Sequence, residues 1–323
     1  MWIDYIGLSI VFLLLELLYF VIATKRNIVD KPNNRSSHQY ITIRGGGIIF
    51  PIASVIFLPF SSLNELLLIG SLLLISVLSF VDDIKSVDSK IRLVIQSIAV
   101  IGLLYSFIGV LSVGWLLVFF VIITGVINAY NFMDGINGVT ALYSIVTIAS
   151  LFWISEQVQF LQNSLFFLSI LAALTIFSFF NLRKRAKCFA GDVGSVSLAF
   201  IICFLVLSLI ISTSFPYWIL LLSVYGIDTV FTIFCRILRK EPLMKAHRSH
   251  FYQYLTNEAG WDHWIVSLLY AGVQAIVDIL LIYAYLSQLY LLPIVALFVI
   301  LIIYVIFRLR FEGKHRLFAT YNC

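Results

Sequence analysis

We read the chain as an all-α, polytopic integral membrane protein of about eleven transmembrane helices, and two observations predict this class. Of its 323 residues 62% are hydrophobic and only 11% charged, far outside the usual range for a soluble domain. All 21 Lys and Arg residues also fall in alternate gaps between apolar segments: Lys25–Arg44, Lys85–Arg92, Arg183–Lys187, Arg236–Arg248 and Arg308–Arg316. The gaps around Ser61–Asn64, Gly109–Gly114, Ser155–Asn163, Ser212–Pro216 and Ser287–Gln288 hold none. Cytoplasmic loops of membrane proteins carry the Lys/Arg excess. The basic gaps are therefore expected in the cytoplasm, with the N-terminus outside and the C-terminus inside.

A spanning helix needs about 20 apolar residues, and about 17 at the least. In order, the candidate segments are 5–23, 46–60, 65–81, 93–109, 115–130, 139–154, 164–182, 196–213, 217–237, 264–286 and 289–307. Several are short, so tilt or shifted boundaries are expected. The first contains Glu16 and lacks a small-residue cleavage site, which reads as a retained helix and not a signal peptide. Cys188, Cys203, Cys235 and Cys323 show no paired spacing, against a disulfide framework or a Cys-based metal site. The net charge of +5 is spread over five membrane-proximal loops. That pattern excludes nucleic acid as a partner and points to a phosphate-bearing small molecule or the anionic leaflet. The reading is one membrane domain, 1–323, whose working loops are 24–45, 82–92, 131–138, 183–195 and 238–263.

Polar chemistry is concentrated in those loops. The first reads Asp30-Lys-Pro-Asn-Asn-Arg-Ser-Ser-His38, then Arg44-Gly-Gly-Gly47. Glycines opening a helix let a ligand approach an N-terminus that favours anions; a flexible basic loop is the alternative. The second holds Asp82-Asp83, two adjacent carboxylates at the negative end of a helix dipole. Such a pair suits a metal-phosphate site or a general base, or a solvated loop pairing with Lys85 and Lys90. In the third, Asn128, Asn131 and Asp134 recur every third residue before Gly135 and Gly138. That spacing keeps them within one broad helix face, and their oxygens suit a hard cation such as Mg²⁺. The fourth reads Gly191-Asp192-Val-Gly194-Ser195 before a helix, either a holder of metal-bound phosphate or an N-cap. The last centres on Lys245-Ala-His247-Arg248-Ser-His250, a diphosphate-binding patch, since two His alone make a poor zinc site. Asp228 is expected to be buried with a polar or cationic partner, while Glu16 and Asp278 read as structural.

These five ordered motifs resemble the polyprenyl-phosphate N-acetylhexosamine-1-phosphate transferases, glycosyltransferase family 4. The Ala246-His-Arg-Ser-His250 segment looks most like the O-antigen branch that handles 6-deoxy sugars such as FucNAc or QuiNAc. The resemblance implies Asp82 and Asp83 near a lipid phosphate, Asn131 and Asp192 on Mg²⁺ (or Mn²⁺), and Asp134 as a further essential acid beside the nucleotide. It implies Asn128, Arg44, Lys245, His247, Arg248 and His250 as substrate-binding residues. The chain departs from many relatives in having Asn137 where a second aspartate stands, Lys245-Ala246 before the histidines, and no proline before the glycine run. The implied reaction transfers a sugar-1-phosphate from a UDP-N-acetylhexosamine to undecaprenyl phosphate at a bacterial inner membrane, releasing UMP. A homodimer is an open alternative for assembly. Activity like that of phospho-MurNAc-pentapeptide translocase is the near alternative. The distant one is a transporter of anionic substrates, which would place its polar residues near the midplane and show repeated halves.

Overall fold

The computed structural model describes residues 2–32, 40–58, 62–161, 163–242 and 248–319. Helix α1 (Trp2–Arg26) is followed by two short strands, β1 (Val29–Asp30) and β2 (Thr42–Ile43), paired antiparallel. A 3-10 turn, Gly46–Ile48, leads into α2 (Ile49–Phe57). Then come α3 (Leu63–Ile84), α4 (Ser89–Tyr105), α5 (Val113–Met133), α6 (Val139–Val158), α7 (Ser164–Asn181) and α8 (Gly191–Thr213). A 3-10 segment, Pro216–Leu222, precedes α9 (Ser223–Leu238), and α10 (Phe251–Asn257), α11 (His263–Leu286) and α12 (Leu292–Phe318) complete the chain.

All eleven predicted segments are helical. Among the described residues nine helices are long and apolar enough to cross a membrane, counting Pro216–Leu238 as one. The other two are α2 and α4. With its 3-10 lead-in α2 is 12 residues, about 18 Å at 1.5 Å per residue, short of the roughly 30 Å hydrocarbon core. The first turn of α4 carries Lys90 and Arg92, so only part of it belongs in lipid.

Helix α8 is the axis, with 78% of its apolar window buried. It packs on α3, α5, α2 and α6, and a helix enclosed on all sides can be apolar on all sides. At the margin α1 and α12 turn Trp2, Ile3, Ile302 and Ile306 outward, as lipid-facing helices do. The glycine run serves this packing. Gly46 and Gly47 donate their N–H groups to the carbonyls of Phe189 (2.9 Å) and Ala190 (3.0 Å). A Cβ on Gly47 would lie 2.3 Å from the Gly194 Cα. The backbone that glycine admits here is the start of α8, not a ligand. Gly45, at φ 79°, makes the left-handed turn that brings the run into place.

The ninth span is broken, and its freed backbone groups are satisfied from α11, as they must be inside a membrane. Gln274 donates Nε2–H to the Leu220 carbonyl (3.0 Å), while its Oε1 accepts the Val224 N–H (3.1 Å). Asp278, one turn on, accepts from Gln274 (2.7 Å) and Ser150 (2.8 Å). Glu16 is fully buried beside Cys188. Both acids thus belong to helix packing.

Candidate active site

The Asp-Asp pair, Arg44 and the Gly-Asp-x-Gly-Ser motif meet where the end of α3 reaches the start of α8. Asp83, in the last turn of α3, reaches the first turn of α8, where its Oδ1 accepts the Asp192 N–H (2.8 Å) and its Oδ2 the Val193 N–H (3.0 Å). The open N–H groups of a helix N-terminus favour a carboxylate there. Gly191 is required by the fit, since its φ is +71° and a Cβ would meet Asp83 Oδ2 at 2.5 Å. Arg44, just before the glycine run, adds an Nε–H bond to Asp83 Oδ1 (2.7 Å) and reaches Asp192 Oδ1 with Nη2 (3.2 Å).

Asp82 is tied differently. It accepts the Val87 N–H (2.5 Å) and Arg92 Nη1–H (2.8 Å), and lies within hydrogen-bonding reach of Asp192. Arg92, in the first turn of α4, also stands 3.5 Å from Asp192 Oδ2. Three carboxylates and two guanidiniums therefore alternate. Their side-chain exposures separate the roles: Asp83 0%, Asp82 8%, Asp192 17%, Arg44 32% and Arg92 42%. Asp83 is locked inward as an anchor, while Asp192 and the two arginines present themselves to what arrives.

The end of α5 joins this cluster through one bond. Asn131 Oδ1 accepts from Ser195 Oγ (3.0 Å), one turn along α8 from Asp192. Asp134 follows the helix directly and is half-buried. Burial pushes its pKa up to about 6, with Asp83 adding to the rise and Arg44 opposing it. Asn128 is placed further back, donating to the Thr124 carbonyl of its own helix (2.8 Å), a carbonyl that Gln96 also approaches (3.3 Å). Asn137 binds the Arg183 carbonyl (2.7 Å) and its own N–H meets His263 Nδ1 (3.2 Å), so it braces the neighbouring loop.

A cavity of about 360 Å³ is lined by Tyr40, Asn137, Arg183, Lys184, Arg185, Phe189 and Trp264, among others. It does not contain the acids, but Phe189 on its wall is three residues before Asp192. Arg185 stacks over the Tyr40 ring at 4.1 Å.

The last loop divides. Lys245 and His247 lie outside the described residues. Arg248 is half-buried. His250 is turned into the bundle at 1% exposure, its Nδ1 3.0 Å from Asp228 Oδ1. Its Nδ1 is thus engaged inside the bundle. Asp228 has the partners expected of a buried acid: His250, Tyr270 (2.5 Å), Thr232 (3.2 Å) and Arg308 (3.8 Å). Arg92 is the site residue that the sequence reading counted only as topology-setting charge.

The chain matches the family model described as glycosyl transferase family 4 over residues 66–210. It is 31% identical over 261 residues to a probable undecaprenyl-phosphate N-acetylglucosaminyl 1-phosphate transferase of Bacillus subtilis, covering 72% of this chain and 71% of that one. It is 32% identical over 213 residues to the undecaprenyl-phosphate alpha-N-acetylglucosaminyl 1-phosphate transferase of Escherichia coli K12, covering 58% of this chain and 56% of the other. A phospho-N-acetylmuramoyl-pentapeptide-transferase of Latilactobacillus sakei is 31% identical over half of each chain.

Proposed function

Because the chain belongs to glycosyl transferase family 4, we propose that it transfers an N-acetylhexosamine-1-phosphate from a UDP-sugar to undecaprenyl phosphate, releasing UMP. The observation that carries this reading is the cluster of Asp82, Asp83 and Asp192 with Arg44 and Arg92, gathered from three helices and the loop before a fourth. It fits phosphoryl transfer, which needs alignment and charge neutralisation more than covalent help.

The donor set suits Mg²⁺. Among the described residues no three of His, Cys, Asp or Glu form a ready cage, and Mg²⁺ rarely uses one. It takes one or two carboxylates and completes its shell with water and phosphate oxygens. Asp82 and Asp192 lie side by side, and two carboxylates so close need a proton or a cation between them. Asp192 would hold the ion together with Asn131, which bonds Ser195 one turn along α8, leaving Asp82 to face the lipid phosphate. When bound, Mg²⁺ would neutralise the diphosphate and polarise the phosphorus under attack.

The chain's own residues supply the rest. Arg44 and Arg92 face the negative charge that grows on the phosphoryl oxygens. Asp82 accepts the proton of the lipid phosphate. A lipid phosphate oxygen forms a bond to the β-phosphorus as the bond from that phosphorus to the bridging oxygen breaks, and the bridging oxygen leaves with UMP. The cavity with Phe189, Arg183 and Arg185 supports a nucleoside site, with an aromatic wall and three cations. The Lys and Arg residues gather in the same alternate gaps of the sequence as these acids, so the positive-inside rule favours the cytoplasmic side of a bacterial inner membrane. A panel of UDP-GlcNAc, UDP-FucNAc, UDP-QuiNAc and UDP-MurNAc-pentapeptide with undecaprenyl phosphate tests the reading. UMP release from an N-acetylhexosamine donor supports it; release from the pentapeptide donor alone replaces it with the translocase reaction.

A further inference from the structure

The chain's last apolar helix carries a buried cation that the reaction does not use. Arg308, on α12, is 1% exposed, and a guanidinium so placed must be fully engaged. Its Nη1 donates to Tyr304 OH (2.8 Å) and Thr232 Oγ1 (3.2 Å), and Glu312 pairs with it one turn on. Its Nη2 donates to the main-chain carbonyl of Ser249, 59 residues earlier (3.1 Å). On the other side of the same turn Asp228, 3.8 Å from Arg308, accepts the Phe251 N–H (3.2 Å) and the His250 ring (3.0 Å).

The turn Ser249–Phe251 is thus gripped on its carbonyl by α12 and on its N–H by α9. Arg248 directly precedes it. Tyr252 directly follows, donates its OH to the Phe132 carbonyl (2.8 Å) and packs so tightly on Gly135 that a Cβ there would lie 2.2 Å from the hydroxyl. Arg248 thus sits directly before a turn fixed on both sides, and Tyr252, directly after it, bonds the end of α5 two residues before Asp134.

We propose that Arg308 is a positioning residue for the transfer, holding Arg248 toward a donor diphosphate by pinning the Ser249 carbonyl and fixing Asp228. This rests on the transferase reading above. It gives the final helix a role in the site that its position at the lipid margin conceals. The guanidinium fork is what allows simultaneous bonds to Thr232, Tyr304 and Ser249.

The test is steady-state kinetics of the full chain in detergent, with a UDP-N-acetylhexosamine and undecaprenyl phosphate. Arg308→Lys keeps the charge beside Asp228 but loses the fork, so it decides the matter even where Arg308→Met does not fold. Loss of one charge-assisted bond to the loop should raise the donor KM about tenfold with kcat changed less than about threefold. In an Arg248→Ala background the same substitution should leave the donor KM unchanged, because the effect passes through Arg248. A wild-type KM in Arg308→Lys, or an equal KM increase with and without Arg248, overturns the tether alone. Failure of the wild-type protein to release UMP from any donor overturns the transferase reading and the tether together.

Discussion

Replacing each of the paired aspartates with asparagine should give two different proteins. The Asp83 carboxylate is fully buried and accepts three donors: the N–H groups of Asp192 (2.8 Å) and Val193 (3.0 Å), and Arg44 Nε–H (2.7 Å). An amide has one acceptor oxygen, and its NH₂ would face one of these donors. The cost combines a lost bond to a charged acceptor, about 1.5–3 kcal/mol, with a buried donor left unpaired, about 1–3 kcal/mol. Asp83→Asn should therefore lose about 4 kcal/mol of stability along with its activity. Asp82→Asn can keep the Val87 N–H bond (2.5 Å) and loses chiefly its pairing with Arg92, which is 42% exposed. Such half-exposed pairs contribute under about 1 kcal/mol. If Asp82 is the base, turnover should fall at least about 100-fold with the fold intact. Part of that loss should return between about pH 5.5 and 8, as the lipid phosphate passes its second ionisation near 6 unaided. Thermal unfolding in detergent and UMP release, measured on both variants, separate the two effects. Equal destabilisation by both substitutions, or wild-type turnover in Asp82→Asn, would refute this division of labour.

Asp192→Ala should remain folded and lose Mg²⁺-dependent binding of UDP-sugar; titration showing wild-type Mg²⁺ affinity would remove Asp192 as a ligand. For Asp134 the folded pKa of about 6 lies above the usual 3.8, so the folded state holds the proton more tightly than the unfolded one. Its neutral form is stabilising by comparison, and that contribution is lost as pH rises from about 4 through 6, to at most about 3 kcal/mol. Asp134→Asn should flatten the pH dependence of thermal stability across that window, and an unchanged slope would show that burial does not hold the proton there. Cysteines placed near Asn64 and Gln159 should react with an impermeant reagent from outside, and one at Lys85 should not; the reverse pattern would put the acids on the wrong side for a cytoplasmic donor.

The helices were legible because their signal is local: runs of apolar residues, set apart by the alternate gaps in which the Lys and Arg gather. The acids were legible because Asp-Asp and Gly-Asp-x-Gly-Ser stand out against so apolar a chain. What escaped is what depends on distant partners. Nothing near Arg92 marks it as the residue that bridges Asp82 and Asp192. The glycine run looked like an anion cradle, yet it is there so that α2 and α8 can touch at Gly47 and Gly194. The pairing of His250 with Asp228 was silent because that partner is on another helix 22 residues away. Helix α10 was hidden inside the same loop, since seven residues are too few to show a helical period. The break before α9 was equally silent, because Gln274, which satisfies it, belongs to α11.

The most direct test supplies purified protein with Mg²⁺, undecaprenyl phosphate and a UDP-N-acetylhexosamine labelled in both the sugar and its β-phosphorus. The account predicts UMP and a sugar-diphospho-lipid in equal amounts, with both labels in the lipid product. Label in the lipid from the sugar alone, with UDP released, would mean a different bond is broken, and the site described here would have been assigned the wrong reaction.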